Sequence, residues 1–137
     1  MSTQAVPGLD FEAEFQQYVE TALWASIDEQ PDGNGGPPMD DTYGPTDLTA
    51  DALASMRADL QDFIDGADAD ALAFWVDQLG TGQIGHDFWL TRNGHGAGFW
   101  DRFMDEPGER YGRILTEQAK PYGESHLWAD GERVHVS

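Results

Sequence analysis

Apolar residues recur at helical spacing through most of the first half of the chain. Phe11, Phe15, Tyr18, Val19, Ala22 and Leu23 share one face of a helix predicted over residues 10–26, with Asp10 as its cap. Glu12 and Glu14 sit favourably near its positive end. Thr49 caps a second helix whose stripe is Leu53, Met56, Leu60, Phe63 and Ile64, and Gly66 ends it. Asp51 lies in its first turn. Asp59, Asp62 and Asp65 fall off the stripe, towards water or a partner. A shorter third helix spans about 68–79, with Leu72, Trp75, Val76 and Leu79 inward, and Gly80-Thr81-Gly82 breaks it.

From Ile84 the pattern changes. Phe88-Trp89-Leu90-Thr91 is rich in strand formers, Asn93-Gly94 is a turn dipeptide, and Gly98-Phe99-Trp100 reads as a returning strand. The alternative is an irregular glycine-rich loop, because Gly94, Gly96 and Gly98 weaken strand propensity. Residues 109–120 form a fourth helix, with Ile114, Leu115 and Ala119 inward and Pro121 and Gly123 ending it. Residues 126–129 and 133–136 flank Asp130-Gly131, a strong hairpin signal. The predicted class is α+β, with about four helices and two β-hairpins forming a small antiparallel sheet.

The expected organisation is a single domain over residues 1–137, with a loose leader at 1–9. Residues 28–47, with four Pro and four Gly, form an acidic loop. Asp32-Gly33-Asn34-Gly35 has a faint look of a calcium loop. However, Tyr43 stands at its twelfth position, where a bidentate Glu is required.

Composition sharpens this picture in two ways. Five Trp, seven Phe and four Tyr supply the apolar area for a packed core and exclude a disordered acidic tail. The absence of Cys removes disulfides, thiolate zinc sites and Cys nucleophiles. No secretory signal or membrane-spanning run is apparent, so the expected location is cytoplasmic.

The net charge is −19, unevenly spread. Residues 1–85 hold 17 acids against Arg57, and residues 86–137 hold nine acids against six bases. Phosphates are repelled by the first half, so no direct nucleic-acid binding is expected there, whereas a basic partner is attracted. Inherited acidity, from a GC-rich genome or a salt-loving organism, is the alternative source of this charge.

Candidate chemistry gathers in residues 86–102, HDFWLTRNGHGAGFWDR. His86, Asp87, Trp89, Arg92, Asn93, His95, Trp100, Asp101 and Arg102 are the candidate ligand or interaction site. His86-Asp87 lacks the further His and Asp on other helices that a metal-dependent phosphohydrolase needs. A zinc or manganese site needs His86 to meet His95, with Asp87 or Asp101 nearby. Structural hydrogen bonding is the competing reading for each His. Arg92 and Arg102 suit an anionic ligand, stacking on Trp89 or Trp100, or ion pairs within the fold. There is no Gly-x-Ser-x-Gly elbow and no phosphate-cradling loop, so no catalytic residue, metal or cofactor is assigned. Asp51, Asp59, Asp62 and Asp65 are the candidate acidic partner face.

The motif at 86–102, Ala22–Trp24, Leu115-Thr116, the KPYG at Lys120–Gly123 and the closing hairpin together resemble an uncharacterised family of small acidic proteins encoded by bacteriophages and prophages. The resemblance covers most of the chain in order. It implies an accessory protein in the host cytoplasm and brings no catalytic residues. The leading expectation is a non-enzymatic protein binding a basic surface of a host or phage nucleic-acid-handling protein, as a nucleic-acid mimic or counter-defence inhibitor. The alternatives are a small ligand- or metal-binding protein or enzyme using residues 86–102, and a virion-associated module whose Phe-Trp hairpin packs on a copy of itself.

Overall fold

The computed structural model describes residues 6–26, 36–94 and 98–137. Among the described residues, five α-helices precede one hairpin: α1 (Phe11–Ala25), α2 (Ala50–Gly66), α3 (Ala69–Leu79), α4 (Gln83–Arg92), α5 (Gly108–Ala119), β1 (Leu127–Ala129) and β2 (Val134–Val136). The class is α+β, as expected, but with five helices instead of four and, among the described residues, one hairpin instead of two.

The two caps read from sequence, Asp10 and Thr49, are in place, and Asp68 caps α3 in the same way. Asp10 accepts the N–H groups of Glu12 and Ala13, Thr49 that of Ala52, and Asp68 that of Ala71. Each satisfies amides that a helix start leaves without partners. The expected stripes are the core: Tyr18, Val19, Met56, Leu60, Phe63, Ile64, Leu72 and Trp75 are all buried. Part of the expected leader is anchored, because Val6 and Leu9 pack against this core. Of the acidic loop, residues 28–35 lie outside the described residues. Its remainder is pinned by buried Met39, whose N–H donates to the Ser26 carbonyl at 2.9 Å.

The expected hairpin at 88–100 is instead helix α4 followed by a short 3-10 turn, Phe99–Asp101. Ile84, Gly85, Asp87, Phe88, Trp89, Leu90, Thr91 and Arg92 are buried, so α4 runs through the interior. A helix covered on all sides has no polar stripe, and the periodicity that betrays a surface helix is absent. Burial among other helices overrides the strand preference of Phe, Trp and Thr. Asn93-Gly94 is a helix ending, not a hairpin turn. Gly94 has φ +73° and returns its N–H to the Thr91 carbonyl at 3.1 Å, a conformation that glycine adopts without strain.

Rings lock α4 to its neighbours. Phe88 stacks on Phe63 of α2 at 4.2 Å between centroids, and Trp89 meets Tyr18 of α1 edge-on at 5.5 Å. The C-terminal hairpin forms as expected, pairing Leu127 with Val136, Trp128 with His135 and Ala129 with Val134. Its turn is closed by Asp130, whose Oδ1 accepts the N–H groups of Glu132 and Arg133, each at 2.9 Å. The N–H of Arg133, the imidazole of His135 and the N–H of Glu132 together hold the Asp130 carboxyl well below the usual carboxylate range.

Candidate functional site

The described polar residues of the 86–102 motif include His86, Asp87, Arg92, Asn93 and Arg102, each hydrogen-bonded within the fold. The structure divides them between two polar nodes on different sides of α4, joined to a third at the start of that helix.

The first node is Asp87, whose side chain is wholly buried. Its carboxylate accepts the Trp75 indole N–H at 2.9 Å, the Gln83 amide at 3.1 Å, and Arg102 through Nε at 2.9 Å and a terminal nitrogen at 2.7 Å. His86 Nδ1 lies 2.8 Å from Asp87 Oδ1. Burial opposes ionisation of Asp87, but the bonds from His86, Arg102 and Trp75 outweigh it and hold the carboxyl below its ordinary range. The two-pronged guanidinium contact suits Arg and not Lys.

The second node is Arg92, also buried. Its guanidinium donates to Tyr18 Oη at 3.0 Å, Asp59 at 2.8 Å, and the carbonyls of Tyr122 and Gly123 at 3.1 and 2.9 Å. It thereby ties α1, α2 and the segment after α5 to α4. Burial pushes the Tyr18 hydroxyl up to about 12, so Tyr18 remains a neutral acceptor for Arg92. Asn93 completes the joint, donating to the Trp89 carbonyl and accepting the Ser125 N–H, both at 2.9 Å.

The third node was not singled out in the sequence. Glu14 is fully buried, and its carboxylate accepts the N–H groups of Gly82 at 2.8 Å and Gly85 at 2.9 Å. It sits where the exposed amides and dipole of α4 favour a negative charge. A signal existed: Glu14 shares the helical phase of Phe11, Phe15 and Tyr18, so an acid stands within an apolar stripe. Burial raises the Glu14 pKa above its ordinary 4.5, although the three amides of Gly85, Gly82 and Ile84 pull it down. A raised native pKa means that ionisation is harder in the folded state, so this group's contribution weakens as pH rises from 4.5 through the raised value. Glu14→Gln is expected to remove that part of the pH dependence. Urea midpoints between about pH 4 and 7, the span over which a raised carboxyl titrates, will read it.

Trp89 is core. Trp100 is 43% exposed and Asp101 is exposed. His95 lies outside the described residues, so its meeting with His86 does too. Among the described residues, no group of three or more His, Asp or Glu could hold a metal ion. Arg92 lies over the rings of Phe88 and Tyr122, not Trp89 or Trp100. Arg102 pairs with Asp87, not with the acidic helices. Among the described residues, no buried polar side-chain atom lacks a partner.

On the acidic face, Asp51 and Asp62 are exposed on α2, whereas Asp59 is drawn into the Arg92 node. Asp62 accepts the Tyr122 hydroxyl, and Asp65 accepts the Gln61 amide at 3.0 Å. Charge reversal at Asp59 therefore disturbs the fold as well as the surface. Exposed Trp24 and Trp128 were also not singled out. Trp24 lies 5.9 Å from the His86 ring, and Trp128 stacks on His135 at 4.2 Å.

Comparison with known protein families, characterised proteins and solved structures finds no match to this chain. No helix among the described residues is long and apolar enough to cross a membrane.

Proposed function

We propose that this chain is a non-enzymatic, phage-type accessory protein that engages a basic surface of a nucleic-acid-handling protein through the exposed side of α2. The observation that carries this reading is the distribution of charge. Among the described residues the buried charged side chains are Glu14, Asp87 and Arg92, which nearly cancel, so the excess of acids lies outside the core.

The surface cations do little to offset it. Arg57 is held by Glu12 in a double contact at 2.7 and 3.0 Å, Arg113 by Glu109 at 3.0 Å and Lys120 by Glu117 at 3.2 Å. Among the described residues Asp51 has no such neighbour, and Asp62 is met by the neutral hydroxyl of Tyr122. Three helical turns, about 16 Å, separate Asp51 from Asp62 along α2. Between them, Ala54, Ser55 and Ala58 are exposed and small, so a partner can approach the helix closely. Counter-defence inhibition by occupying a DNA-binding face fits this surface.

The residues of the 86–102 motif enter this reading as the frame that holds α2 against α4. Asp51→Asn combined with Asp62→Asn keeps the side-chain size and one oxygen acceptor at each position and removes two charges. Its expected effect is an affinity for the basic partner lowered about tenfold at low salt, with little change at high salt, because screened surface charges contribute little. Equal retention of partner by wild-type and doubly substituted protein at low salt would contradict the assignment of this face.

A further inference from the structure

A groove of about 250 Å³ lies where the first turn of α2 meets the C-terminal hairpin, bounded by Asp51, Ser55, Trp128 and His135. It is smaller than the roughly 300–1,000 Å³ of small-molecule sites, and nearer the size of a single inserted side chain. Its chemistry is mixed. Trp128 packs one face on His135 at an interplanar angle of 14° and is still 48% exposed. Asp51, which lines the same groove, contributes a carboxylate with no hydrogen bond or ion pair among the described residues.

We infer that this groove receives an arginine side chain of the protein partner, stacked on Trp128 and forked onto Asp51. The inference rests on the acidic-surface reading and names the contact that gives it specificity. A guanidinium is planar, spreads its charge over an aromatic face and offers paired N–H donors to a carboxylate, whereas an ammonium is compact and strongly hydrated. Of the other polar groups nearby, three are engaged. Thr49 Oγ1 accepts the Ala52 N–H at 3.0 Å, His135 Nε2 lies 2.9 Å from Asp130, and Arg133 donates to the Thr46 carbonyl at 3.3 Å. The positive end of α2 carries about half a unit of charge, which the full negative charge of Asp51 exceeds.

The test is titration of the full chain with tetra-arginine and with tetra-lysine, followed through the indole N–H resonance of Trp128. Loss of that resonance in Trp128→Phe assigns it. The expected result is a saturable shift with tetra-arginine, binding about threefold or more tighter than tetra-lysine. Asp51→Asn removes that preference, and so does Trp128→Ala, whose peptide binding is read by calorimetry. Equal binding of the two peptides without a Trp128 shift would overturn the inference. So would an equal shift from an uncharged aromatic peptide, which would mark the groove as an apolar site. A natural partner captured equally by wild type and by Trp128→Ala would remove the groove from the interface and leave the acidic reading standing. No salt-sensitive partner, together with a saturable tetra-arginine shift, would do the reverse.

Discussion

Asp87→Ala is expected to lower the free energy of unfolding by about 3–5 kcal/mol, read as a fall in the urea midpoint. The carboxylate is the shared acceptor for the Trp75 indole, the Gln83 amide and the Arg102 fork, and its own exposure is nil. Its removal strands a buried indole N–H and leaves a guanidinium only 26% exposed without its counter-charge. Arg102 can regain some water, which places the expected loss towards the lower figure. The acid side of the stability curve changes too. A carboxyl held below its unfolded value of 3.8 contributes stability that is complete above that value and lost as pH falls through the native pKa. Wild-type protein therefore loses stability below pH 3.8 through Asp87, and Asp87→Ala loses less over the same interval. A change under about 1 kcal/mol would show that the node is ornamental to the fold.

Gly85→Ala tests the frame from the other side, and the sign of the effect decides the matter. Propensity alone makes Ala better than Gly inside a helix by about 1 kcal/mol. At position 85, however, the added Cβ would lie 2.1 Å from the Glu14 carbonyl oxygen and 3.1 Å from the Tyr18 nitrogen. Both are backbone atoms of α1, which no rotamer change can move. The two helices must part, loosening the amide contacts to Glu14 and the packing of Tyr18 on Phe88 and Trp89. The expected result is a loss of at least about 3 kcal/mol, or failure to fold. Gly66→Ala is the control. Among the described residues nothing outside its own helix turn lies within 4 Å of its Cβ position, and a gain of up to about 1 kcal/mol is expected there. Thermal or urea unfolding of both variants checks the contrast.

These residues also show what the chain discloses before folding. The surface helices α1, α2, α3 and α5 were legible because each has one wet face, and Asp10, Thr49 and Asp68 mark three of their starts. The terminal hairpin was legible from Asp130-Gly131. Helix α4 was not, because burial on all sides erases the contrast between polar and apolar positions on which such reading depends. The motif it begins stands out by composition, but the partners of its charged residues do not. Arg92, Arg102 and Asp87 resemble ligand-binding groups in sequence, and only the fold shows that Tyr18, Asp59 and Trp75, distant in the chain, are their partners. The sequence signal for the third node was Glu14 standing in an apolar stripe. The acidic face was half legible: spacing places Asp51, Asp59, Asp62 and Asp65 off the core stripe of α2, but not which of them the rest of the chain recruits.

The two expected losses concern the frame, whereas the central claim concerns what the frame presents. The measurement that reaches it most directly is capture of partners from host lysate on immobilised wild-type protein, at low and moderate salt, with duplex DNA as competitor. The expected result is stoichiometric retention of a nucleic-acid-handling protein, released both by salt and by DNA, since both compete for a cationic surface. A retained partner indifferent to DNA and to salt, or no retained partner at either salt, would contradict the claim.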